Sequence, residues 1–327
     1  MKRMNHDTLK ISIISVMALL FIAFGLLLLQ KWESDRRYYP AHAEIEKTVE
    51  YNGIQYVLKE NIETFLLIGL DKFDDVSVPE SYNNDQQADF LMLFVFDHDT
   101  KQYSAIHINR DTMVDVDVLG IAGNRVNTIT QQIALSHTYG NGKEVSCYNT
   151  ANSVTALLNG MKVNHFVSVT MDAVSILNDS VGGVELAVLH DFSGVDDALV
   201  KGETVTLMGE QALTYVRARK DIEDSSNQTR MQRQKQYVEA FLAAYEARAE
   251  HDPTWAIEAS AKLSNYVVSD LSVSKLQAMM NKFREYEFLG IQDIKGESVR
   301  AENFMEFYPN TESIQRIVIN MFYCPMK

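Results

Sequence analysis

Residues 11–29, ISIISVMALLFIAFGLLLL, carry no charged side chain across 19 positions. Coiled as a helix at about 1.5 Å per residue, the run spans roughly 28 Å, close to the ~30 Å hydrocarbon core of a bilayer. A segment of this kind leaves water, so the rest of the chain must fold on one side of a membrane. The run is longer than the ~7–15 apolar residues of a secretory signal, and the charged QKWESDRR separates it from the cleavage-like triplet Ala41-His42-Ala43. The sequence therefore predicts an uncleaved transmembrane helix over 11–29, with a short tail over 1–10, a polar stalk over 30–53 and a globular domain over 54–327. Flanking charge does not set the orientation, because Lys2, Arg3 and Lys10 on one side balance Lys31, Arg36 and Arg37 on the other.

Beyond the stalk, hydrophobic periodicity gives TFLLIGL (64–70), ADFLMLFVF (88–96) and QYSAIHIN (102–109) as strands, the last two joined by a turn of hairpin length. Helical patterns follow over 126–138 and 145–158. Then come a strand over 165–170, a helix over 172–179 and a strand over 184–188. Helices are expected over 229–248, 254–264, 273–285 and 311–322, the first capped by Asn227 or Thr229. Strands interleaved with helices predict a layered α/β domain around a mixed sheet. Cys147 and Cys324 form no CxxC pair and no metal-ligand spacing with histidine, so they either pair or stay free. The histidines stand singly in separate segments and read as structural.

The strand IHIN ends on Arg110 and Asp111, adjacent charges of opposite sign. If the three early strands run as successive antiparallel neighbours, the end of the first, the start of the second and the end of the third share one edge. Asp71, Asp89 and Arg110 then converge. Two carboxylates beside an arginine suit a hard divalent cation, Mg²⁺ or Mn²⁺, shared with phosphate oxygens. Three independent strand-end charges are the alternative.

A second cluster lies in YVRARKDIEDSSNQTRMQRQK (215–235). It holds Arg217, Arg219, Lys220, Arg230, Arg233 and Lys235 against Asp221, Glu223 and Asp224, a local +3 in a chain of formal charge -14. That overall charge argues against a nucleic-acid partner, so any anion site is local. Arg217 and Arg219 point the same way if the chain is extended after a helix through EQALTYV. Arg230 and Arg233 lie one turn apart on the next helix, with Gln234 beside them. Arginine is the residue for gripping phosphate through paired hydrogen bonds.

The motifs FLLIGLD, ADFLMLFVFD followed by INRDTMV, RVN (125–127), SVGGVEL, LMGEQALTYVRAR and RMQRQ stand in the order and spacing of the LytR-CpsA-Psr (LCP) family, which the chain resembles from about residue 62 onward. Members are membrane-anchored, extracytoplasmic phosphotransferases that move a phosphate-linked glycopolymer, such as teichoic acid or capsule, from a polyprenyl diphosphate carrier to peptidoglycan. The resemblance implies a three-layer α-β-α sandwich whose apolar cavity holds the polyprenyl tail. It also implies an outward-facing domain, a cytoplasmic tail over residues 1–10 and a catalytic role for Asp89 and Arg110; in the transfer that follows, Asp111 or a metal-site carboxylate would accept the proton of the attacking hydroxyl. By position, Asp71 and Asp89 look like the Mg²⁺ carboxylates, and Arg110, Arg217, Arg219, Arg230 and Gln234 like diphosphate contacts; Arg233 belongs to the same basic cluster. Two positions depart from the pattern. Gln87-Ala88-Asp89-Phe90 replaces the usual Arg-x-Asp-Thr, and Asn227 stands where aspartate is common. These departures leave open a membrane protein that binds polyprenyl diphosphate, or slowly hydrolyses it, in a regulatory role in the envelope. A transcription attenuator would need a basic reading surface, which the acidic chain does not offer.

Overall fold

A computed structural model describes residues 45–71, 84–120, 123–252, 255, 259, 262–302 and 304–326. The apolar run 11–29, its flanking tail and most of the expected stalk lie outside these residues, as does most of the expected helix 254–264. Among the described residues no helix is long and apolar enough to cross a membrane.

In chain order the elements are β1 (Thr48–Tyr51), β2 (Ile54–Leu58), β3 (Ile62–Leu70), β4 (Phe90–Asp97), β5 (Gln102–Ile108), β6 (Met113–Leu119) and β7 (Arg125–Gln132), then α1 (Glu144–Leu157), β8 (His165–Thr170) and α2 (Asp172–Ser180). β9 (Val184–Ala187), β10 (Thr204–Leu207), α3 (Glu210–Arg217) and α4 (Asn227–His251) follow. The chain continues through β11 (Val267–Ser269), α5 (Val273–Phe283), β12 (Glu287–Asp293), β13 (Gly296–Arg300), β14 (Met305–Pro309), α6 (Thr311–Phe322) and β15 (Tyr323–Pro325). β1 falls inside the segment expected as stalk: it pairs with β2, which also pairs with β15, so folded structure begins within 30–53.

The main sheet has six strands in the order β11-β8-β3-β4-β5-β12 and is mixed. β3, β4 and β5 are successive antiparallel neighbours, while β8 joins β3 and β12 joins β5 in parallel. β4, FLMLFVFD, is apolar at nearly every position because both of its faces are covered. On one face Leu66, Ile68, Leu91, Leu93, Ile106 and Ile108 pack with Cys147, Ala151 and Val154 of α1 and Ile314, Ile317 and Val318 of α6. On the other, Met92 and Ala105 meet Val238 of α4, and Phe96 meets Phe283 of α5. Both faces of these strands are apolar, so the register is held by the ladder pairing and by the fit of side chains on each face rather than by polar–apolar alternation.

The expected helix over 126–138 is corrected. Residues 125–132 form β7, hydrogen-bonded to β6, and only Ile133–Thr138 coils, as a 3-10 turn. Val126, Ile129 and Ile133 mimic helical spacing, but the stretch carries the β-branched Val126, Thr128, Ile129 and Thr130, is mostly exposed, and gains its backbone partners from β6. Ser226, rather than Asn227 or Thr229, caps α4, its hydroxyl accepting from Thr229 N at 3.1 Å. Cys147 and Cys324 are both free.

A cavity of about 710 Å³ lies on the sheet face that carries α4 and α5. Phe65, Leu67, Phe94 and Val167 from strands, Phe241 and Leu242 from α4, and Leu276, Met280 and Phe283 from α5 line it. None of the α5 side chains is fully buried. Both flanks of this helix are tied to the sheet near Glu63 of β3. Asp270, just before α5, pairs with His165 Nδ1 at 2.8 Å, and Tyr286, just after it, meets His98 Nδ1 at 2.9 Å. The Nε2 atoms of the two histidines face the Glu63 carboxylate at 3.6 and 2.9 Å.

Candidate anion site at the sheet edge

The antiparallel order of β3, β4 and β5 brings their site-side ends together, as the spacing predicts. Gly69 pairs with Phe90, Leu91 pairs with Ile108, and Asp89 N donates to Gly69 O at 2.8 Å. Gly69 is required by this closeness: a Cβ there would stand 2.8 Å from Phe90 Cβ. The chain leaves the sheet with Asp71 after β3, Asp89 before β4, and Arg110 and Asp111 after β5.

Arg110 is the hub. Its Nη1 pairs with Asp89 Oδ1, its Nη2 donates to Gln87 Oε1 at 2.5 Å, and its Nε lies 3.6 Å from Asp111 Oδ1. Burial lowers its pKa; Asp111 opposes that drop, nearby Arg219 adds to it, and Asp71 opposes it in turn. Asp111 is buried. Its Oδ1 accepts from Gln132 Nε2 at 3.1 Å, and burial raises its pKa against the pull of Arg110, Arg230 and Arg219. Arg230, on the first turn of α4, is buried too. Desolvation, with Arg110 and Arg219 as like charges, brings its pKa down to about 10. Three guanidiniums are thus held within electrostatic reach of one another, and buried Arg110 Nε and Arg230 Nε have no hydrogen-bond partner among the described residues. Like charges gathered in this way, with donors unspent, are arranged for an anion.

The remaining expected residues divide. Arg217 is exposed, ends α3, and pairs with Asp71 Oδ1 at 3.2 Å. Only from Ala218 is the chain extended, so Arg217 and Arg219 do not share one strand-like segment, although both reach the cluster. Gln234 is buried against Val216 O at 3.2 Å and the His107 ring. His107 is fully enclosed on β5, and burial holds it near pKa 4, so it is a neutral floor to the site. Arg233 does not join the anion cluster. It is fully buried and turned to the end of α3, where Nε donates to Tyr215 O at 2.9 Å, Nη2 donates to Ala218 O, and the guanidinium lies 5.3 Å over the Phe192 ring. One turn of helix separates it from Arg230, and the two face different elements.

Sequence reasoning passed over Asn109 and Gln132. Asn109 Oδ1 accepts from Asp111 N at 2.9 Å and from Asn227 Nδ2 at 2.7 Å, and Asn227 Oδ1 accepts from Arg230 Nη2 at 2.5 Å. The Asn109–Asn227 contact joins positions 118 residues apart, and no local pattern signals it.

No group of three or more His, Cys, Asp or Glu side chains suited to a metal ion gathers among the described residues. Asp71 and Asp89 fit only an ion that takes two protein carboxylates and completes its shell from water and ligand oxygens, as Mg²⁺ does. α4 links this polar edge to the cavity. Arg230 and Gln234 stand on its first turns, and Phe241, eleven residues after Arg230, lines the cavity about 16 Å further along the axis.

The model of the LytR_cpsA_psr family matches residues 30–322. A curated relative from Enterococcus faecalis, polyisoprenyl-teichoic acid--peptidoglycan teichoic acid transferase TagU, is 30% identical over 200 residues, 60% of this chain and 58% of that protein. The chain therefore spans little more than half the length of that relative. The protein of the same name from Bacillus subtilis is 24% identical over 242 residues, 74% of this chain and 71% of its own. Among solved structures, TagT bound to LI-WTA superposes with a TM-score of 0.60 at 19% identity, covering 86% of this chain and 98% of that one. Protein gbs0355 from Streptococcus agalactiae gives 0.64 at 17%, covering 80% and 86%. At such identities the structural likeness speaks for the mixed α/β fold.

Proposed function

Because the chain belongs to the LytR-CpsA-Psr family, we propose that it transfers a phosphate-linked glycopolymer of the teichoic acid class from a polyprenyl diphosphate carrier to peptidoglycan. The observation that carries this reading is the gathering of Arg110, Arg219 and Arg230 with Asp71, Asp89 and Asp111 at one sheet edge, joined by α4 to an apolar cavity. A diphosphate headgroup suits the guanidiniums, and an isoprenoid tail suits the cavity. In this reading the fold is a three-layer α-β-α domain, carried outside the cell by a transmembrane helix over 11–29.

A hydroxyl of the acceptor attacks the phosphorus that bears the glycan. The new P–O bond forms as the bond to the bridging oxygen breaks, and polyprenyl phosphate leaves. Arg110, Arg219 and Arg230 hold the diphosphate oxygens and neutralise charge as it moves to the leaving group, the largest contribution in reactions of this class. Asp111, made more basic by burial, accepts the hydroxyl proton. Asp71 and Asp89 are the carboxylates available to Mg²⁺ or Mn²⁺, which when bound supplies further neutralisation of the phosphoryl oxygens.

The test is transfer of a synthetic polyprenyl-diphosphate glycan to peptidoglycan by the full chain in detergent, with and without Mg²⁺. Asp89→Asn and Arg110→Met are expected to lose transfer; activity equal to the unmodified chain in both would remove the site from the reaction. Gln87 and Asn227 motivate a second reading, capture without transfer. Lipid bound with no polyprenyl phosphate released at any Mg²⁺ concentration supports that second reading, and release without acceptor supports hydrolysis.

A further inference from the structure

Asn227 stands between two groups that can only donate hydrogen bonds. At one end of the chain of contacts is the backbone N–H of Asp111, at the other the guanidinium of Arg230. The Asp111 N–H obliges Asn109 to present its Oδ1, and Arg230 obliges Asn227 to present its own Oδ1. Reversing either amide would set donor against donor. What remains is Asn227 Nδ2 donating to Asn109 Oδ1 at 2.7 Å, which is the contact found. The polarity of the whole relay is therefore fixed from its two ends, and Asn109, Asn227 and Arg230 are all buried.

From this we infer that Asn109 and Asn227 are positioning residues of the anion site: a directed pair of carboxamides that aims the Arg230 guanidinium without cancelling its charge. The inference rests on the reading of this cluster as a diphosphate site, and it gives Asn227 a role that aspartate could not fill here. A carboxylate at 227 accepts from Arg230 but has no proton for Asn109 Oδ1, so it breaks the link to Asp111. It also neutralises a cation that the ligand needs. Asn227 is the one of the pair that must both donate and accept, and only an amide of that length does both.

The test uses the full chain in detergent, with inorganic pyrophosphate as the probe in titration calorimetry and thermal unfolding as the parallel measurement. Asn227→Asp, nearly isosteric, is expected to bind pyrophosphate about tenfold or more weakly, the scale of one misplaced charge-assisted hydrogen bond, while its unfolding temperature stays level or rises through the new ion pair with Arg230. A residue with only a structural role would instead move stability and leave affinity unchanged. Asn109→Ala and Asn227→Ala should each weaken binding, and their double variant should be little worse than the weaker single, because both cut one relay. Losses that add in full, or an Asn227→Asp chain that binds as tightly as the unmodified one, overturn the inference. If Asn109→Ala does not fold, Asn227→Asp alone decides. No pyrophosphate binding by the unmodified chain, or binding that Arg110→Met leaves unchanged, overturns the diphosphate reading and this inference with it.

Discussion

Arg233 separates a basic residue that builds the fold from those that face a ligand. Its guanidinium is completely enclosed, donates to the carbonyls of Tyr215 and Ala218, and covers Phe192. Arg233→Met keeps the volume but strips both carbonyls of their donor. At about 1–3 kcal/mol for each stranded buried acceptor, the loss is roughly 4 kcal/mol. Part of this returns, because the buried charge was itself costly: burial brings the Arg233 pKa down to about 10. The expected net destabilisation is about 2 kcal/mol, a fall in unfolding temperature of roughly 4–8 °C. Arg219→Met, at an exposed position within reach of the cluster, should do the reverse, leaving stability within about 0.5 kcal/mol and weakening pyrophosphate binding. Thermal unfolding and calorimetry on the two variants measure both quantities. If Arg233→Met unfolds like the unmodified chain yet loses pyrophosphate, the side chain is a ligand contact and its assignment to the fold is wrong.

Gly69→Ala should destabilise the chain by about 1–3 kcal/mol, because its Cβ meets Phe90 where Asp71 and Asp89 leave the sheet, and denaturant titration reads this directly. Leu67→Trp or Met280→Trp should reduce binding of long polyprenyl diphosphates while leaving pyrophosphate affinity unchanged, since both residues line the cavity and neither belongs to the polar cluster. Burial resists ionisation of the Cys147 thiol, pushing its pKa up, so a maleimide should modify only Cys324 in the native chain and both thiols after denaturation. Asp97 is pushed up by burial but pulled further down by Lys59 and the amides of Thr100 and Asp99, and its pKa is lowered on balance. Its share of stability is present above the unfolded value near 3.9 and is lost as pH falls through the lowered folded value. The stability gap between the unmodified chain and Asp97→Asn should therefore be flat above about pH 5 and close in acid.

The early strands were legible because each carries its own pattern: a run apolar on both faces, a hairpin-length turn, and charges only at the ends. Antiparallel order then placed Asp71, Asp89 and Arg110 by geometry alone. β7 was not, since Val126, Ile129 and Ile133 fit a helical stripe as well as a strand, and only pairing with β6 decides between them. Arg233, expected in the basic cluster, faces elsewhere: three residues along a helix leave it about 60° from Arg230, and sequence does not reveal that this angle separates the sheet edge from the end of α3. The Asn109–Asn227 contact was invisible for a different reason. A buried polar pair has no periodicity, and its two members lie 118 positions apart.

Glu63 lies near the start of β3 and Asp71 directly after its end, eight residues and roughly 26 Å apart at about 3.3 Å per residue. Through His165 and His98 it moors both ends of α5, a helix with no side chain fully sunk into the protein. Removing the Glu63 carboxylate would take a shared contact from both histidines at once, while Asp270 and Tyr286 would keep theirs and the strands on either side of the helix would stay paired in the sheet. A single carboxylate at the far end of β3 from the charged edge thus bears on both flanks of the cavity's outer wall, and a change there reaches the wall without touching the Arg110–Asp89 pair.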